Sequence, residues 1–188
     1  LRIDGVLKGN LRMAKFAGLC VSLPSAFKFQ ANGYIAGLMD PKRIKANVDL
    51  KATTYHLDFL TALLDPSLMQ TIRIPVGIGF KGNVRVDGSI YASHFRLTEG
   101  GGYVAGNGLF DVSRMDYHAD LVASKLQLQH FLPHKGLTPF SGHVVVKGSG
   151  TDILSVRTKL DVKFKVDDFH YSGYSLSDIN GMANLSAG

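Results

Sequence analysis

Residues 155–168 read SVRTKLDVKFKVDD. Val156, Thr158, Leu160, Val162, Phe164 and Val166 fall on one parity, and Arg157, Lys159, Asp161, Lys163, Lys165 and Asp167 on the other. Side chains alternate across a strand with a period of two, so this spacing predicts a long β-strand with one apolar and one charged face. A register slip of one residue would move the charges onto the apolar side, so the pairing is strongly specified. Such a strand asks for a large apolar partner, which the rest of the chain must supply or leave open.

The same alternation recurs along the sequence. Ile44, Ala46, Val48, Leu50 and Ala52 alternate with Lys45, Asn47, Asp49 and Lys51. Residues 72–86, IRIPVGIGFKGNVRV, keep Ile72, Ile74, Val76, Ile78, Phe80, Val84 and Val86 on one parity, which predicts one strand of fifteen residues. Shorter versions are LRIDGVLKGNLRM at 1–13, FKFQANGYI at 27–35, YHADLVA at 117–123 and HVVVKG at 143–148. Glycines punctuate these runs, notably Gly100–Gly102, as turns between antiparallel strands require. The chain is therefore expected to be all-β and built of hairpins, with one or two short helices. A helix is expected near residues 56–65, where Leu57, Leu60 and Leu64 recur at helical spacing before Pro66. A shorter helical turn is expected around Leu128–Leu132, closed by Pro133.

With 188 residues and 45% hydrophobic content, the chain can fold as one domain and is not disordered by composition. Lysine and arginine (21) exceed aspartate and glutamate (15) by six, but the cations are scattered along strands rather than clustered. That distribution reads as a solvated outer face, and the aromatics do not interleave with cations as a nucleic-acid platform would require. The lone Cys20 sits in an apolar run, AGLCVSL, and is expected to be a buried, inert thiol. No window approaches the roughly 20 apolar residues that span a bilayer, and no signal peptide opens the chain. It starts without Met, in the strand-like LRIDGVLKG, and stops in NLSAG, so it reads as a segment of a longer protein.

Internal similarity supports a repetitive architecture. Lys8–Met13 matches Lys81–Val86 at a spacing of 73, Asn32-Gly33-Tyr34 matches Asn107-Gly108-Leu109, and Asp49-Leu50 matches Asp120-Leu121. Degenerate units of about 73 residues are expected over 1–72 and 73–140, with a truncated third over 141–188.

No motif carries catalysis. Gly77–Gly82 spells GxGxxG, but alternation continues through it and no helix follows, so it lacks the phosphate-binding context. GSGTD at 148–152 is read as a further glycine turn. His130 and His134 have ligand spacing, yet Pro133 lies between them and no Glu follows the first. Asp167-Asp168 reads as a strand end or turn and not as a catalytic carboxylate pair, since adjacent strand residues point apart. No nucleophile turn occurs, and Cys20 has no nearby His. No enzymatic activity and no cofactor or metal are expected.

What remains is the apolar face. Strands of nine to fifteen residues would be about 30–50 Å long, more than an ordinary β-sandwich uses. A sheet folding over along that length would make a channel with an apolar lining and a charged exterior, roomy enough for acyl chains. The order of glycine-hinged strand pairs, the step from DL to LP, and the GxGTD turn before a long alternating strand resemble the TamB and AsmA-like repeating β-groove family. The resemblance spans essentially the whole chain. It implies a taco-like antiparallel groove in the periplasm of a Gram-negative envelope, tethered by an inner-membrane anchor outside this segment. It further implies passage of phospholipid toward the outer membrane, and assembly work with a TamA-like β-barrel partner. Nucleic acid is not an expected partner. Under this resemblance the lining residues are Leu11, Met13 and Phe29, then Val48 and Leu50. They continue with Val76, Ile78, Phe80, Val84 and Val86, then Leu121, Val144 and Val146, and end with Leu160, Val162, Phe164 and Val166. The helix near 56–65 departs from a bare groove and is an element that could plug or cap it. The alternative is a scaffold whose open β-edge templates outer-membrane strands.

Overall fold

The computed structural model describes residues 1–10, 12–56, 73, 75–133, 136–150, 158–171 and 173–185. Among these residues eleven strands form a single antiparallel sheet in sequence order, an open and curved meander. The first four are β1 (Arg2–Asn10), β2 (Met13–Leu23), β3 (Phe27–Ala36) and β4 (Lys45–Thr54). The next four are β5 (Gly79–Asp87), β6 (Ile90–Glu99), β7 (Gly102–Asp111) and β8 (Asp116–Gln127). The last three are β9 (Pro139–Ser149), β10 (Lys159–Tyr171) and β11 (Tyr174–Leu185). A four-residue helix, α1 (Leu128–Phe131), follows β8 before Pro133, where the sequence places a helical turn. The expected helix near 56–65 lies outside the described residues apart from His56.

Turn chemistry explains where strands stop. Asn10 Oδ1 accepts from the backbone N–H groups of Arg12 (2.8 Å) and Met13 (3.2 Å), an Asx arrangement that reverses the chain between β1 and β2. Asp40 caps the short 3-10 turn at Pro41–Arg43 by accepting from Lys42 N–H at 3.1 Å. Asp111, buried at the end of β7, accepts from Ser113 N–H, Ser113 Oγ and Arg114 Nε at 2.9, 2.6 and 2.8 Å.

Four irregularities bend the ladder, between Asp4 and Val6, Phe16 and Leu19, Ala123 and Leu126, and Val166 and Asp168. Each inserts unpaired residues and adds local twist, which is how a long sheet acquires curvature. The last of these revises the reading of Asp167-Asp168. The strand does not end there but bulges and runs on to Tyr171, with Lys165 Nζ 2.6 Å from Asp167 Oδ1.

The register sorts side chains into two faces. One ladder row runs Ile3, Val21, Phe29, Ala52, Phe80, Leu97, Val104, Ala123, Gly142, Val166 and Ile179, one residue from each strand and none polar. The adjacent row on the opposite face runs Asp4, Cys20, Gln30, Lys51, Lys81, Arg96, Ala105, Val122, His143, Lys165 and Asn180. No second layer packs on either face among the described residues. The buried apolar side chains there are small, Ala26, Ala31 and Ala46, and no large side chain is fully enclosed. Domains ordinarily bury such a face against another layer. Here the apolar side chains shelter one another within the sheet: Phe80, Val84 and Val86 are half-buried, while Lys81, Arg85 and Asp87 between them are exposed.

Three sequence readings change. The fifteen-residue strand over 72–86 shortens to β5, because Val76 and Gly77 form a turn, Gly77 at φ 77°, and Gly79 starts the ladder. Gly77–Gly82 is therefore a turn running into a strand. Cys20 is half-buried on the polar face rather than enclosed in a core. In the first repeat anchor, Lys8–Asn10 run into the β1–β2 turn, whereas Lys81–Asn83 lie mid-strand. The other two anchors occupy matching places: Asn32 pairs with Asp49 across β3 and β4, as Asn107 pairs with Asp120 across β7 and β8.

Candidate functional site

The apolar face gathers most of the residues singled out in the sequence. Leu50, Gly82, Phe95, Gly106, Leu121, Val144, Phe164 and Gly181 form one row across β4 to β11. Val48, Val84, Ser93, Gly108, Ala119, Val146 and Val162 form the next. Val86 and Leu160 fall in one further row, joined through Tyr91, Phe110, Tyr117 and Gly148. Phe29 and Val166 belong to the row that crosses all eleven.

Four expected residues do not join them in this way. Met13 lies on the polar face, paired with Ala36 and Asn10, because the bulge between Phe16 and Leu19 resets the parity of β2. Val76 is 59% exposed in the turn before β5. Ile78 precedes the strand, where its N–H donates to Thr54 Oγ1 at 3.1 Å and its carbonyl accepts from Thr54 N–H at 2.9 Å. Leu11 lies outside the described residues.

Reading parity alone found Phe29, Phe80 and Phe164 but missed the other aromatics of the face. Phe16, Phe95, Phe110, Tyr117, Phe140 and Phe169 all point to the apolar side by register. Phe80 stacks on Phe95 with centroids 6.1 Å apart, and Phe140 meets Phe169 edge-on at 5.9 Å. The signal was present in YASHFRL at 91–97, whose odd positions are Tyr91, Ser93, Phe95 and Leu97.

Both faces carry depressions. One of about 350 Å³ is lined mainly from the apolar face, by Val84, Tyr91, Phe110 and Tyr117 around Ser93. A larger one, about 1000 Å³, opens on the polar face between Gln30, Asn32, Lys51, Lys81, His94 and Arg96. Lys51, Lys81 and Arg96 stand directly opposite one another on three successive strands, an arrangement of like charges that costs stability. Arg96 is partly accommodated by the Tyr103 ring, 3.5 Å from its guanidinium carbon. Beside this row Asn83, 8% exposed, donates to Asn47 Oδ1 at 2.7 Å and Asp49 Oδ1 at 2.8 Å, locking β5 to β4.

Among the described residues no three His, Cys, Asp or Glu side chains are grouped to hold a metal. His143 is held by Asp120 at 2.7 Å and His130 by Glu99 at 2.6 Å; His134 lies outside the described residues. No helix among them is long and apolar enough to cross a membrane.

The described residues form an all-β, open and curved antiparallel meander. Comparison with protein-family models, curated proteins and solved structures finds no match to this chain.

Proposed function

We propose that this segment carries phospholipid acyl chains along its apolar face, as a non-enzymatic part of a TamB- or AsmA-like groove in the Gram-negative periplasm. The observation that supports the reading is the apolar row through all eleven strands with no layer covering it among the described residues. Strands of 9–13 residues span about 30–43 Å at 3.3 Å each, the length scale of an extended acyl chain and more. A sixteen-carbon chain carries roughly 12 kcal/mol of transfer free energy at about 0.8 kcal/mol per methylene. An open apolar face recovers the part of that free energy that belongs to the side of the acyl chain it covers, and does so without a deep pocket. In this account the inner-membrane tether and the TamA-like outer-membrane partner lie outside the segment.

Mass spectrometry of lipids co-purifying with the chain under native conditions tests the proposal. Stoichiometric phospholipid is the expected result; a lipid-free preparation taken from membranes by mild extraction would count against it.

A second reading rests on the sheet edges. β1 and β11 each pair on one side only among the described residues, so either edge could accept an outer-membrane strand by augmentation. In that case the apolar face would meet protein rather than lipid.

A further inference from the structure

The apolar face ends in a buried polar group that nothing in the sheet satisfies. Glu99 closes β6 two positions beyond Leu97, on the same face, and is only 3% exposed. Its Oε1 meets His130 Nδ1 of α1 at 2.6 Å, but Oε2 is buried without a hydrogen-bond partner. Gln129, the preceding residue of α1, has the same defect. Its amide nitrogen donates to Gln127 Oε1 at 2.8 Å, which leaves its own Oε1 buried and unpartnered. Both residues line one cavity of about 490 Å³, together with His130, Arg73, Pro75 and Pro133. Buried polar atoms are nearly always satisfied, and two orphaned acceptors in one cavity mark a place where a donor belongs.

The chemistry of the donor follows from the cavity. One carboxylate oxygen and one amide oxygen, with no N–H or O–H of the described residues directed at them, suit a cation that itself donates hydrogen bonds. Hard divalent cations take six or more oxygens, and Arg73 in the same cavity opposes a bare metal charge. A single water occupies about 30 Å³, so one water leaves the space largely unfilled. A primary ammonium carries three N–H donors, enough for both acceptors, and an anionic group a few bonds away from it would suit Arg73, which lines the same cavity. Leu97 and Phe95 continue from Glu99 along β6 on the apolar face, where hydrocarbon attached to that anionic group would run.

We propose that the Glu99–Gln129 cavity receives the primary ammonium of an aminophospholipid head group, giving the face a polar end that selects the lipid. The inference rests on the lipid-carrying reading above. It is tested by capture from mixed vesicles of phosphatidylethanolamine and phosphatidylcholine with identical acyl chains, followed by native mass spectrometry. Phosphatidylcholine has the same charges but no N–H, so the wild-type chain should favour phosphatidylethanolamine about tenfold, the scale of one charge-assisted hydrogen bond. Glu99→Gln keeps the shape and should bring the ratio near one; Gln129→Leu, which leaves the carboxylate in place, should reduce it in part. Equal capture of both lipids by the wild type overturns this inference and leaves lipid carriage standing. Capture of neither overturns carriage and this inference together. A preference that survives both substitutions refutes the placement at Glu99. Displacement of lipid by an equal concentration of soluble phosphoethanolamine would reassign the cavity to a free zwitterion and overturn the proposal.

Discussion

Phe164 on β10 lies directly across the ladder from Gly181 on β11, and its ring fills the space that a side chain at 181 would need. The same relationship recurs where Tyr117 faces Gly148 and Leu121 faces Gly106. Large side chains lie over glycines of the next strand, with no second layer pressing on them among the described residues.

Gly181→Ala should therefore destabilise the chain by about 1–3 kcal/mol, the usual cost of overpacking. Combining it with Phe164→Ala should cost less than the sum of the two single changes, since the clash disappears with the ring. A double-mutant cycle by thermal melts checks this, and strict additivity would contradict the contact.

Charge placed on the two faces should act very differently. Phe80→Asp sets an unpaired carboxylate among Phe95, Leu97 and Ala52 and should cost several kcal/mol, comparable to the stability of a marginal domain. Arg85→Glu should stay within about 0.5 kcal/mol. Lys81→Glu puts a carboxylate between Lys51 and Arg96 and should be neutral or slightly stabilising. Melts that rank Phe80→Asp as the mildest of the three would overturn the assignment of faces.

Asp111 links stability to acid. The Ser113 hydroxyl, then the Ser113 N–H, hold its carboxyl well below the usual carboxylate range, with Ser89 and Arg114 adding to the effect. A group whose folded pKa is depressed contributes stability above its unfolded value, near 3.9, and loses it as the pH falls through the folded value. Melting temperature should thus decline below about pH 4, and Asp111→Asn should be less stable at neutral pH but flatter through that window. Parallel acid profiles for the two proteins would remove Asp111 from the account.

Much of the fold was legible because one rule governs most of it. Strict alternation in 44–52 and 159–166 has a single low-energy arrangement, a strand with segregated faces, and both became strands. The proline-closed turn at Leu128–Leu132 was legible for the same reason: Pro133 cannot continue a helix. Alternation says nothing about where an extra residue enters the ladder. The bulges at Gly18 and Asp167 shift parity without changing hydrophobicity, so Met13 was assigned to the wrong face and β10 was ended early. Gly77 hid a turn inside an apolar run, which misplaced Val76 and Ile78. The Glu99 cavity was not readable at all, because it joins the end of β6 to α1 and to Arg73, Pro75 and Val76 through contacts that no local pattern encodes.

The central claim is that lipid lies on the face marked by Val162 and Phe164. Phe164 is 36% exposed and Val162 half-buried, and Lys163 between them points to the other side. A photo-crosslinking side chain at each of the three positions, activated in cells, tests this most directly. The account predicts phospholipid adducts at 162 and 164 and none at 163. Equal labelling at all three positions, or protein adducts alone at 162 and 164, would contradict it and favour the scaffold reading.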